Sequence, residues 1–213
     1  MTSINPVVFD QAWTRFESWL AVQSPADHAA LRPPATTAEI AELEEQLGFA
    51  LHPDLRGLLE RRNGVVEPER NSGPERGVFP AGGILPLGHR LSSTAEIASM
   101  HKILVEVGED NTEAELWDEE DLAGHLYQCA PFALPNDGGV AFVDHRPGPT
   151  YGHVYEMGIG SGDLDGTLWG SSLTDFVRAV TDALETGTPF KYYWPTTFEH
   201  PSGRTCIEWE IRS

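Results

Sequence analysis

The densest gathering of reactive side chains is PNDGGVAFVDHRPG, Pro135 to Gly148, where Asp137, Asp144, His145 and Arg146 fall within ten residues. A carboxylate, an imidazole and a guanidinium could act as base, proton carrier and anion clamp if the fold set a nucleophile or a second carboxylate beside them. Read with a period of two, Val140 and Phe142 share one strand face with Asp144, while Ala141 and Val143 share the other with His145. Apolar residues on both faces suit a strand near the middle of a sheet. The charged trio then falls where that strand emerges into the Arg-Pro-Gly-Pro turn. The spacing predicts a hairpin with charged, solvated ends, and replacing all three residues by Ala is expected to leave function nearly intact.

Other chemistries are no better supported. The eight histidines form no H-x-H or H-E-x-x-H pattern, and His145 and His153, which could meet across a hairpin, read as solvated turn neighbours. Ser161-x-Asp163-x-Asp165-Gly166 resembles a calcium loop, but Ser161 stands where the first acid belongs and Ser172 where the closing glutamate belongs. Gly158-x-Gly160 runs on to Asp163 where a dinucleotide fingerprint needs its third glycine. Cys129 and Cys206 lie in strand-like segments without an evident base, so they read as buried thiols. No catalytic residue, cofactor site or metal site is assigned.

The remaining concentration of charge is acidic. Between Glu106 and Asp121 stand nine Asp or Glu residues and no Lys or Arg. Glu109, Asp110, Glu113, Glu115, Trp117, Asp118, Glu119, Glu120 and Asp121 are the candidate partner-binding residues, with Trp117 as an aromatic anchor amid carboxylates that would steer a basic partner. Like charges at this density predict an exposed, partly irregular and mobile segment.

The elements that must carry these residues are legible in the periodicity. Phe9, Trp13, Phe16 and Leu20 recur at helical spacing, and Pro25 to Pro34 reads as a linker. Thr36-x-x-Glu39 is a capping box, opening a helix with Ile40, Leu43 and Leu47 on one face and a stop at Gly48. Pro53 starts another, with Leu55, Leu58 and Leu59 inward. Glu67 to Gly77 reads as a loop, and GGILPLG as a short strand. Ser93-x-x-Glu96 then opens a helix that buries Ile97, Met100, Ile103, Leu104 and Val107. From Cys129 the period becomes two: CAPFALP, GVAFVDH, GHVYEM and GTLW are strands, followed by a helix from Ser171 or Ser172 to Gly187. KYYW and TCIEWEI suggest a final hairpin. Trp13, Leu43, Leu58, Phe142 and Phe176 are expected to be buried together.

The order of elements predicts an α+β fold with a helical N-terminal part, a central antiparallel sheet and a closing C-terminal helix. The expected division is a domain over 1–187 and a hairpin extension over 188–213. Across the 213 residues, 14 Lys and Arg against 33 Asp and Glu give a net charge of −19, which repels nucleic acid and anionic membranes and suits a basic protein. No apolar run is long enough to cross a bilayer, and the start lacks a signal-peptide pattern, so a soluble cytoplasmic protein is expected.

Glu39-Ile40, Leu43-Glu44, Leu47-Gly48, Leu51, Pro53-Asp54-Leu55, Leu58-Leu59 and Asn63-Gly64 together resemble the front of a SUKH superfamily domain. His52, between Leu51 and Pro53, is a small departure. Gly83 to Leu87, Phe132 through Asp144, Gly152-x-Val154 and SLTDFVRAVTDAL resemble its later strands and closing helix, so the likeness spans about residues 8 to 187. The resemblance implies a non-catalytic binding module of the kind found among bacterial toxin-immunity proteins and the fungal cell-wall-assembly regulator. The expectation is an immunity protein neutralising a cognate, basic toxin domain. The alternatives are a regulatory or scaffold protein binding a host protein, and a hydrolytic enzyme.

Overall fold

The computed structural model describes residues 6–66, 81–113, 121–135, 139–158, 165–200 and 203–212. Helices α1 (Pro6–Gln23), α2 (Pro25–Ala30), α3 (Thr37–Leu47) and α4 (Pro53–Leu59) come first. Strand β1 (Arg90–Leu91) and helix α5 (Thr94–Glu113) follow, then β2 (Cys129–Leu134), β3 (Gly139–Asp144), β4 (Val154–Gly158) and β5 (Thr167–Gly170). Helix α6 (Leu173–Thr186) and strands β6 (Tyr193–Glu199) and β7 (Thr205–Ile211) end the chain. The fold is α+β, with an antiparallel sheet ordered β1-β2-β3-β4-β5 and a separate β6-β7 hairpin.

Local sequence explains most of these boundaries. Thr36 caps α3 by accepting the Glu39 N–H, and Glu39 accepts the Thr36 N–H in return, before Gly48 closes the helix in the left-handed region. Ser93 and Glu96 repeat the box at the start of α5. Ser172 caps α6 through the Asp175 N–H, and Gly187 ends it. The 25–34 segment departs from the expected linker, because Pro25 at its first turn starts a short helix whose Asp27 has partners elsewhere. The expected GGILPLG strand is reduced to an isolated bridge between Leu85 and His89: Pro86 opens a 3₁₀ turn over Pro86–Gly88, and the sheet itself begins at Arg90.

The sheet is buried on both faces. Ala130, Phe132, Ala141, Val143, Val154 and Trp169 pack with Trp13, Leu43, Leu58 and Phe176 from the helices. On the opposite face Cys129, Val140, Phe142 and Met157 meet Leu104 of α5 with Leu122 and Leu126 around the 3₁₀ turn Ala123–Gln128. Thus β3 is the central strand its two apolar faces imply. Phe142 is fully buried, yet it belongs to the smaller cluster, because successive side chains of β3 project to opposite faces. The β6-β7 hairpin contributes Tyr193, Ile207 and Trp209 to the larger cluster, and the Trp209 indole N–H donates to the Ile84 carbonyl at 3.3 Å.

Several residues of the resemblance acquire tertiary reasons. Asn63 Oδ1 accepts the Thr94 N–H at 2.8 Å at the start of α5. Gly64, with φ +77°, runs so close to that helix start that a Cβ would lie 2.5 Å from the Ser93 nitrogen. Asp54 accepts both the N–H and the hydroxyl of Thr174 at 3.0 and 2.7 Å, tying α4 to the first turn of α6.

Candidate partner-binding surface

The Asp144-His145-Arg146 trio does sit at the end of β3 beyond a hairpin strand, but it is not solvated. Asp144 is 0% exposed, and its two oxygens accept from the Arg146 backbone N–H at 2.8 Å and from the guanidinium at 2.8–3.1 Å. That pairing raises the Arg146 pKa above the usual guanidinium value. Cys129 faces Asp144 across the β2–β3 register, and burial with the neighbouring carboxylate pushes its thiol well up. His145 projects to the other side of the strand. Its Nδ1 lies 2.9 Å from the Val143 carbonyl, its Nε2 accepts the His52 N–H at 2.8 Å, and Phe49 packs on the ring at 4.7 Å. Asp144 and His145 therefore point apart and form no dyad. The solvated ends expected of this hairpin are therefore corrected: Asp144 and His145 are buried, and replacing the trio by Ala would remove a buried ion pair together with the acceptor of the His52 N–H.

His153 turns to the Tyr155 hydroxyl, 3.4 Å away, and not to His145, which is buried with His52. Among the described residues no group of three His, Cys, Asp or Glu side chains is placed to hold a metal. Ser161 and Asp163 lie outside the described residues, so of the calcium-like run only Asp165 and Gly166 are described. Cys206 is buried like Cys129, and its thiol is pushed up to about 12 by burial and by the Asp27 carboxylate.

Of the acidic candidates, Glu109, Asp110 and Glu113 lie on the exposed side of the last turns of α5. Asp121 is half-buried just before the 3₁₀ turn, and Glu115, Trp117, Asp118, Glu119 and Glu120 lie outside the described residues. Residues 106 to 113 are helical, and the rest of the segment expected to be partly irregular lies, but for Asp121, outside the described residues. The preceding turns of α5 are anchored through Ile97 and Leu104, and that anchoring carries the helix on through the like charges. A second correction concerns Ile103, expected inside but 47% exposed, while His101 is buried in its place. The apolar pattern of α5 covers more than half the helix circumference, and only the positions of the sheet and α3 decide which residues are left over. Ile103 thus stands on the outer face, one turn before Glu106 and two before Asp110. This is a surface feature that sequence reasoning missed, and its only signal was a helix with more apolar residues than one face can bury.

Beside this face, α3 and α5 leave an open trough lined by Glu42, Leu43 and Gln46 on one helix and Ala95, Ala98, Ser99 and Lys102 on the other. Ala95, Ala98 and Ser99 are too short to fill it. Lys102, the one cation in this lining, lies 3.9 Å from Glu106.

An α+β fold with helix α5 packed on one sheet face and an exposed isoleucine and acids along its outer side is the architecture on the page. The chain belongs to the SMI1 / KNR4 family (SUKH-1), whose model matches residues 34–179, more than half of the 213 residues. Membership supports a protein-binding immunity or regulatory module at the level of the family. No curated protein matches the chain. Helices α1 and α2 and the β6-β7 hairpin fall outside the matched span.

Proposed function

We propose that the protein is a non-catalytic immunity protein that neutralises a cognate toxin by covering a basic surface of it in the cytoplasm. The observation that carries this reading is the outer part of α5, where an exposed Ile103 is followed along the helix by the exposed acids Glu106, Glu109, Asp110 and Glu113, with Lys102 the one cation paired to them among the described residues. The same charge disfavours nucleic acid and anionic membranes as targets. Long-range attraction would speed encounter, and Ile103 would slow escape once docked.

The test starts from the partner that co-purifies with the tagged protein, with a toxin gene immediately upstream as the first candidate. Changing Glu106, Glu109, Asp110 and Glu113 together to Gln should lower the association rate and flatten its dependence on salt. Ile103→Ser should chiefly raise the dissociation rate, by about tenfold for a loss of roughly 1.4 kcal/mol. Association unchanged across a salt series would remove α5 from the interface.

A further inference from the structure

His52 and His145 are buried in one contact between two turns, the α3–α4 connection and the turn from β3 to β4. The hydrogen bonds fix their proton positions. His145 Nδ1 sits 2.9 Å from the Val143 carbonyl and must carry the proton there, which leaves Nε2 bare to accept the His52 N–H at 2.8 Å. His52 Nδ1 in turn accepts the Asp54 N–H at 3.2 Å, capping α4, so its own proton is on Nε2. Gly152, with φ +86°, lets the second turn approach so closely that a Cβ there would stand 2.4 Å from His52 Nε2. Tyr151 packs against both rings, at 5.0 and 6.0 Å.

We infer that His52 and His145 form an acid-operated latch, closed when both rings are neutral and opened when His145 takes a second proton. That proton, taken from solvent, has to sit on Nε2. It turns the acceptor of the His52 N–H into a donor, so two donors face each other and the turns separate. The surrounding groups do not rescue the charged ring. Asp144 is engaged by Arg146, Asp54 is turned to Thr174, and Glu44 accepts from Arg56 and the Leu51 N–H. His101, packed on the other side of Phe49, would add a like charge in acid.

The sign follows from burial, which with the nearby His52 holds the His145 pKa down, from 6.5 to about 4. The neutral ring is the latched form, so the latch is fully present above pH 6.5 and is lost as pH falls toward 4. A ring with a value of 6.5 when open and about 4 when latched raises the opening equilibrium about twentyfold between pH 7 and pH 5. Phe49 is half-buried and Tyr151 exposed at this end of the sheet, so a contact made there would hold at neutral pH and disperse in acid.

The experiment is amide hydrogen exchange of the full chain, resolved by NMR at pH 7 and pH 5 and corrected for intrinsic rates. The His52 and Asp54 amides should lose about twentyfold in protection while Phe142 and Val143 in β3 keep theirs. Nitrogen-15 spectra at pH 7 should show His145 as the Nδ1–H tautomer and His52 as the Nε2–H tautomer. His145→Gln, whose amide oxygen can accept the same N–H, should remove the pH dependence. Protection at His52 that is constant to pH 5, a fall shared equally by β3, or the opposite tautomer at His145 each overturns the latch. The wild-type measurements decide the matter even if the Gln variant does not fold.

Discussion

Asp27 gives the sharpest test of how the two ends of the chain are joined. Its side chain is 1% exposed and accepts the Ser24 hydroxyl at 2.5 Å, the Gly82 N–H at 2.6 Å and the Ile207 N–H at 2.7 Å. The Cys206 thiol also bonds to it. One carboxylate therefore holds α2, the chain entering Ile84 and strand β7. Asp27→Ala would strand two buried backbone N–H groups and a hydroxyl. At about 1–3 kcal/mol for each unsatisfied donor, and with partial relaxation or an entering water, the expected loss is about 4 kcal/mol. Asp27→Asn keeps the shape and one oxygen, so a single donor meets the new amide and the loss should be about 2 kcal/mol. Equilibrium denaturation in urea at neutral pH, followed by tryptophan fluorescence, measures both. For a chain of this size a loss of 4 kcal/mol corresponds to a fall in Tm of roughly 8–16 °C. Hydrogen exchange at Ile207 should accelerate at least as much as the global stability allows, because its own acceptor is gone. If Asp27→Ala lost less than 1 kcal/mol, or if Asn cost more than Ala, the carboxylate would not be the clasp described here.

Other substitutions separate backbone from core effects. Gly152→Ala should lose about 2 kcal/mol or more and disturb the His52 resonances, since the new methyl group meets His52 Nε2 in a backbone region that disfavours side chains. Gly64→Ala should be at least as costly, because its Cβ would strike the Ser93 backbone and not a movable side chain; thermal unfolding checks both. Phe142→Ala should cost about 3–5 kcal/mol by urea denaturation, a full-size loss despite the smaller cluster it occupies. Asp54→Ala should cost about 2–3 kcal/mol by leaving the Thr174 N–H without its acceptor, and Asp54→Asn should recover part of that, both by urea denaturation.

The sequence by itself determined the local structure. Thr36-x-x-Glu39, Ser93-x-x-Glu96, Ser172, Gly48 and Gly187 set helix ends because each interaction closes within a few residues, and such contacts depend little on the rest of the fold. The two apolar faces of Gly139–Asp144 likewise placed that strand at the centre of the sheet. The ordered set of these elements was enough to indicate the family. What only the tertiary structure decided are relations across long stretches of chain. Asp27 looks like linker polarity until Gly82 and Ile207 arrive beside it, and Asn63-Gly64 looks like a simple reversal until α5 starts against it. His145 reads as a solvated turn residue until His52, 93 positions earlier, donates to it. Ile103 is apolar and on a helix, and nothing local says that the sheet and α3 take the other faces of α5 and leave it outside. Hydrophobic periodicity records that a side chain prefers burial. Whether it is buried, and which donor a carboxylate meets, depends on how elements distant in sequence share a limited core.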